Sequence, residues 1–314
     1  MDRALTRFQG SILVLVAGAV FSLGPLTFRA LLEADDWQYL FYRSFSAAVV
    51  AALTIMVLGR NPIRSIVEAG LRQAVAGLAL GSCFVLFILS LSRATAAFVL
   101  LLQCTSPFVA AILARVFLRE RVRRDTVAAM LMASVGVAIM VRGGLDSGDR
   151  LGILLSLLLP VFLGGYTVLI RSSPARDPGV PVLIGGFAVA VVAGLVSLAG
   201  PGLDLPIRDV AMGCIGGGLL IGLGAPVFNY AHRFVPPAET SLLLISEIVL
   251  APLWLWAWPG EVPSASTLVG GGVALSAVGW LTGRAAVREG PTRLRWSHGL
   301  HAGAVAVEPG HPDR

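Results

Sequence analysis

Residues 240–258 read TSLLLISEIVLAPLWLWAW. About 20 consecutive apolar residues cross a bilayer as a helix, so this run is a membrane span. Glu247 stands in its middle. A carboxylate at that depth costs about 3 kcal/mol on insertion scales. It is held either by a structural hydrogen bond to a neighbouring helix or by use as a proton or substrate site. Intramembrane ionisable groups are functional candidates by default.

The remainder of the chain agrees. Of 314 residues, 56% are hydrophobic and 13% charged, and mean hydropathy is +0.83. Soluble domains carry about 25% charged residues, so a soluble globular protein is excluded. Ten apolar runs are long enough to serve as spans: 11–30, 37–58, 74–91, 95–114, 126–141, 151–170, 180–199, 210–230, 240–258 and 266–282. The first run is too long for a signal peptide and lacks a cleavage site. The three cysteines, Cys83, Cys104 and Cys214, lie in separate runs. That spacing fits neither a disulfide framework nor a zinc site, and all three are expected in the core. No metal, cofactor or nucleotide motif is present.

The net charge of +6 comes from 24 arginines and no lysine. They gather at span ends, which is a topology signal and not a nucleic-acid surface. Eighteen fall on one side, including five within 115–124, and five on the other; Arg43 lies inside the second span. This places both termini in the cytoplasm of a bacterial cell, with the chain crossing the inner membrane many times. Residues 285–314 are polar and rich in Gly and Pro, and are expected to be a disordered cytoplasmic tail.

A shift of 141 residues aligns the halves without gaps. Gly24, Gly59, Gly77 and Gly81 fall opposite Gly165, Gly200, Gly218 and Gly222, and Glu120 opposite Glu261. Of eight glycines between Gly10 and Gly136 four meet glycine, where composition alone gives about one. Five spans per half is odd, so the second half enters from the opposite face. The expected fold is all-α: ten transmembrane helices as two inverted five-helix repeats, 10–141 and 151–284. Gly77 with Gly81, and Gly218 with Gly222, lie on single helix faces and allow close packing. They are expected to press the third and eighth spans together across the repeat axis.

Four stretches carry a family resemblance. Residues 95–122 read TAAFVLLLQCTSPFVAAILARVFLRERV, and 239–262 read ETSLLLISEIVLAPLWLWAWPGEV. Residues 40–53 (LFYRSFSAAVVAAL) and 162–173 (FLGGYTVLIRSS) complete the order. Together they resemble the drug/metabolite transporter superfamily in its ten-span EamA-like branch. The family's Glu-Pro pair is split here between Ser106-Pro107 and Glu247-Ile248, and Leu23-Gly24-Pro25 lacks the usual aromatic. The resemblance implies a secondary transporter that moves an amino acid or related metabolite, most often outward, by alternating access. Its partners would be the lipid bilayer and a small-molecule substrate, in a monomer or homodimer without cofactor or nucleic acid.

Substrate sites in such folds lie near the midplane, where helices break and polar groups converge. The candidate substrate contacts are Gln103, Ser106, Tyr166, Asn229, Tyr230 and Glu247, with Glu247 also the candidate for proton coupling. Gln103 and Ser106, three apart, are expected on one helix face. Arg43 is an anion anchor for a carboxylated substrate, or else a partner of Asp35 or Asp36. Gly24, Pro25, Gly164, Gly165 and Pro226 are candidate hinges, against simple kinks. Trp254, Trp256 and Trp258 read as an interfacial belt. The alternatives are a facilitative channel, which lacks a filter sequence, a carrier of lipid or sugar-nucleotide cargo, and a membrane enzyme, which lacks a catalytic constellation.

Overall fold

The computed structural model describes residues 6–94, 99, 102–140, 149–173, 177–257 and 265–289. Among these there are helices and no strands. They are α1 (Arg7–Phe21), α2 (Gly24–Arg29), α3 (Asp36–Val57), α4 (Pro62–Leu91), α5 (Ser106–Leu113), α6 (Arg124–Met140), α7 (Arg150–Ser172), α8 (Val180–Ala199), α9 (Ile207–Cys214), α10 (Gly224–Ala231), α11 (Pro237–Leu243), α12 (Ile245–Ala257) and α13 (Ala265–Glu289). Six segments are long and apolar enough to cross a membrane: Arg7–Phe28, Asp36–Val57, Pro62–Leu91, Arg150–Ser172, Val180–Ala199 and Ile207–Ala231.

Local chemistry sets the helix starts. Thr6 and Gln9 form a reciprocal capping box before α1, and Asp35 and Gln38 do the same before α3. Each box satisfies two backbone donors that the first helical turn leaves free. Asp149 caps α7 by accepting from the Gly152 amide at 2.6 Å. That bond, reinforced by Arg93, holds the Asp149 carboxyl below its ordinary pKa. Asn61 caps α4 ahead of Pro62. Gly70 then turns the chain with φ +73°, so 62–69 form a separate helical arm and the span proper starts later. The last helix continues to Glu289, past the expected end at 284, because Gly290-Pro291 are the first breakers the sequence offers. Residues 143–148, Trp258, Glu261 and the tail past 289 lie outside the described residues.

Glycine decides which helices meet. A Cβ on Gly77 would lie 2.8 Å from Ile184, and one on Gly81 would lie 3.0 Å from Val189 and from the Gly185 carbonyl. Gly222 is as close to Val50, at 2.8 Å, and Gly218 reaches it at 3.1 Å. The third span therefore packs on α8, and the eighth on α3. This corrects the expectation that the two glycine pairs face each other: each instead receives a branched side chain from another span. Cys214 is also corrected, since it stands exposed while Cys83 and Cys104 are buried. Gly213, Gly216 and Gly217 take the packed face of their helix and turn Cys214 outward.

Residues 215–223 wind as a π-helix between α9 and α10. The wider turn suits Pro226, whose ring and missing N–H disturb the hydrogen bonds of the preceding turn. Gly217 sits directly on the Arg43 carbonyl oxygen. The buried residues form one cluster around Tyr39, Phe84, Tyr166 and Phe228. A second joins α5, α6, α11, α12 and α13.

Because Gly217 leaves no room for a methyl group, Gly217→Ala is expected to cost about 3 kcal/mol or more. Gly279→Ala, with nothing within 4 Å, is expected to be neutral. Thermal unfolding of both variants in detergent checks this; equal midpoints would rule it out.

Candidate functional site: a charged cavity among broken helices

Three helices are interrupted where a continuous span was expected. The first breaks at Ser22–Leu23, the fourth at Cys104–Thr105 and the ninth at Leu244. Broken backbone inside a membrane persists only where protein or a lined cavity satisfies it. Here the breaks border a cavity of about 640 Å3.

Its wall is mostly apolar and aromatic, with Phe21, Phe28, Tyr39, Phe84, Phe87 and Phe228. Four polar side chains expected from the sequence reach it: Arg43, Gln103, Tyr166 and Glu247. Gly24 and Pro25 line it as well.

Glu247 lies in the first turn of α12, where the helix dipole favours a carboxylate. Gly18 lets α1 approach the neighbouring Ser246, at 2.7 Å from the position a Cβ would take. Arg43 lies over the Phe84 ring, 5.0 Å from its centroid. Its Nη1 is buried with no hydrogen-bond partner. Asp35, weighed as its counter-ion, is spent on capping α3. The unlike charges of Arg43 and Glu247 attract one another, yet no ion pair within 4.0 Å joins them among the described residues. Gln103 adds a buried Oε1 that is also unpartnered.

The other candidates are placed differently. Ser106 is buried at the start of α5, off the cavity wall. A turn at Cys104–Thr105 separates it from Gln103, which does line the cavity. Asn229 stands one bond away from the cavity: Tyr166 donates its hydroxyl proton to Asn229 Oδ1. Asn229 Nδ2 in turn donates to the Pro178 carbonyl at 2.8 Å. Tyr230 turns to Phe234 and Arg233. Gly164 is a packing contact, since a Cβ there would lie 2.9 Å from the Ala110 amide. Gly165 and Pro226 do not line the cavity. Pro160, inside α7, was not singled out from the sequence. Trp254 donates to Ser22 Oγ at 2.7 Å, at the break of the first helix.

Polar bonds tie the ends of the helices together on either side of the cavity. On one side Asp209 accepts from the amides of Leu32, Glu33 and Ala34, each at 2.9 Å. Tyr42 donates to the Leu203 carbonyl at 2.7 Å. On the other side charge pairs dominate. Glu239 takes Arg7 and Thr126, and Asp177 takes Arg60 and Ser65. Arg171 meets Glu120 at 3.3 Å and the His232 carbonyl at 2.9 Å. Asp209, Asp177 and Glu239 were not legible as site-forming residues, because each looks like an ordinary helix-end charge until its distant partner is placed.

Residues 8–142 match the EamA-like transporter family. The chain is 24% identical to the pseudopaline exporter CntI in each of two strains of Pseudomonas aeruginosa. The alignment covers 274 residues, 84% of this chain and 92% of that exporter. The first half of this chain is thus similar to the EamA-like transporter family, and the likeness to an exporter runs through both halves. A solved crystal structure with 16% identity superposes at a TM-score of 0.77, over 89% of this chain and 99% of its own, and shares the fold. These likenesses, with the membrane-length apolar helices, support a multi-pass membrane transporter rather than an enzyme.

Tyr166→Phe leaves the Asn229 carbonyl without its hydroxyl donor in a buried place. A stability loss of about 1–3 kcal/mol is expected, read as a lower thermal midpoint in detergent. An unchanged midpoint would remove this bond from the site's support.

Proposed function

We propose that this transporter exports a small zwitterionic metabolite, an amino acid or related compound, across the cytoplasmic membrane by alternating access. One observation carries the reading. Arg43 and Glu247 present opposite charges to one largely apolar cavity without pairing with each other. An unpaired guanidinium in a membrane is costly, so a ligand that supplies its missing partner gains much. A substrate carboxylate belongs on Arg43, an ammonium group between Glu247 and Gln103 Oε1, and the rest of the molecule against the aromatic wall. The exporter activity named for the Pseudomonas relative supports outward transport.

Glu247 is also the proposed proton carrier. A proton on its carboxylate removes the partner of the substrate's ammonium group. Protons entering from outside would therefore compete with substrate and drive its release there.

The architecture proposed is ten spans in two inverted repeats, 10–141 and 151–284, with both termini cytoplasmic. Support comes from exchanged partners: α4 packs on α8 as the π-helical stretch packs on α3, and α3 pairs with α8 as α6 pairs with α13. Rocking of the two halves about this packing would open the cavity to each side in turn.

In proteoliposomes loaded with mixed amino acids, Arg43→Gln is expected to weaken substrate half-saturation about tenfold to a hundredfold, the effect of losing one charge-assisted bond. Glu247→Gln is expected to lose its response to a pH gradient. Full-rate, gradient-dependent transport by Glu247→Gln would sink the coupling role. Unchanged half-saturation in Arg43→Gln would sink the substrate assignment.

A further inference from the structure

The loop between α5 and α6 carries a charge that no side chain among the described residues balances. Arg115, Arg119, Arg121, Arg123 and Arg124 are all exposed. Among the described residues none of their guanidinium groups has a hydrogen-bond or ion-pair partner. The two nearby acids are already taken by arginines from elsewhere: Glu120 by Arg171 at 3.3 Å, and Asp125 by Arg284 at 3.2 Å. Among the described residues five positive charges therefore remain unpaired within ten residues.

The backbone reinforces this arrangement. α5 ends in a π-helical turn, Ala114–Leu118. Arg119 follows in the left-handed region, φ 55°, where a non-glycine residue is held at a cost. Glu120 is thus sent inward to Arg171, between exposed Arg119 and Arg121. The helices on both sides are lipid-facing. Ile112, Val116 and Phe117 are 63%, 65% and 71% exposed, and Leu131 on α6 is 56% exposed. The charges thus adjoin exposed apolar side chains, the pairing of chemistries that a phospholipid presents. Guanidinium groups bind phosphate oxygens through parallel N–H donors.

We propose that this loop is a binding site for the phosphodiester headgroups of anionic phospholipids. The site lies outside the transport cavity. Its position beside the Arg171–Glu120 bond makes lipid a partner of the charge-paired end of the molecule.

The test uses the full chain in micelles with an equimolar mixture of phosphatidylglycerol and phosphatidylcholine, followed by native mass spectrometry of retained lipid. Phosphatidylglycerol is expected to be retained preferentially. R119Q, R121Q and R123Q, singly and together, are expected to weaken its retention about fivefold per arginine. R72Q, at an exposed arginine outside the loop, should leave retention unchanged. Raised salt should erase the preference in the unmodified protein, which keeps the test decisive if the triple variant does not fold. Equal retention of both lipids overturns the proposal. So does a triple variant that retains phosphatidylglycerol as well as wild type, or R72Q weakening retention as much as R121Q. Complete displacement by inorganic phosphate would assign the loop to the free anion and equally overturn it.

Discussion

The approach of Gly217 to the Arg43 carbonyl oxygen is the contact on which the cavity depends. Lipid supplies little hydrophobic drive for helix association, so spans hold together by close packing and internal polar bonds. With no side chain between them, the π-helical stretch and α3 meet backbone to backbone. Gly216 is brought against the Thr27 and Tyr39 hydroxyls by the same contact, which themselves bond at 3.0 Å. Arg43 is thereby held on a rigid helix with its guanidinium over Phe84 rather than free to snorkel out of the membrane. A larger residue at 217 would move the cation and part the wall at once.

A second constraint follows from the broken helices. An interrupted span exposes amides and carbonyls that lipid cannot satisfy. The breaks at Ser22–Leu23, Cys104–Thr105 and Leu244 are tolerated because short local bonds carry the backbone across them, from the Leu23 amide to Val20, from Thr105 to Leu102 and from Glu247 to Leu244. Trp254 closes on Ser22 Oγ, linking the ninth helix to the interruption of the first. Glu247 profits from the third break, since it occupies a helix start in mid-membrane. The same break that weakens the span gives the carboxylate its electrostatic support.

Much of this was legible in the sequence, for a definite reason. In a chain that is 56% hydrophobic, a polar residue within a span stands out, and Arg43, Gln103, Tyr166 and Glu247 were read that way before any geometry. The aromatic wall was not legible: Phe84 and Phe228 look no different from lipid-facing Phe45 or Phe187 until rotation about the helix axis is known. Gln103 lines the cavity and Ser106 does not, a difference that three-residue spacing alone does not reveal. Composition identified the glycine pairs as packing surfaces but carried no information on their partners. Asp209 shows the limit most clearly. Its neighbours suggest a helix-start acid, whereas its three amide donors lie more than 170 residues away in the chain.

The two ends of the molecule are closed by different chemistry, and that difference bears on how the proposed cycle would run. Charge pairs such as Arg7–Glu239, Arg60–Asp177 and Arg171–Glu120 join separate helices. The Glu239 and Asp177 carboxylates are buried, so parting these pairs is favourable only when the opening itself admits water to hydrate both groups. The Asp209 carboxylate is otherwise: opening its contact would strand three backbone amides of one short loop together. Under alternating access the loop at 32–34 and the start of α9 would therefore move as one body, with opening at that end confined to other helix pairs. The charge-paired end, able to exchange partners with water, would supply the larger rearrangement.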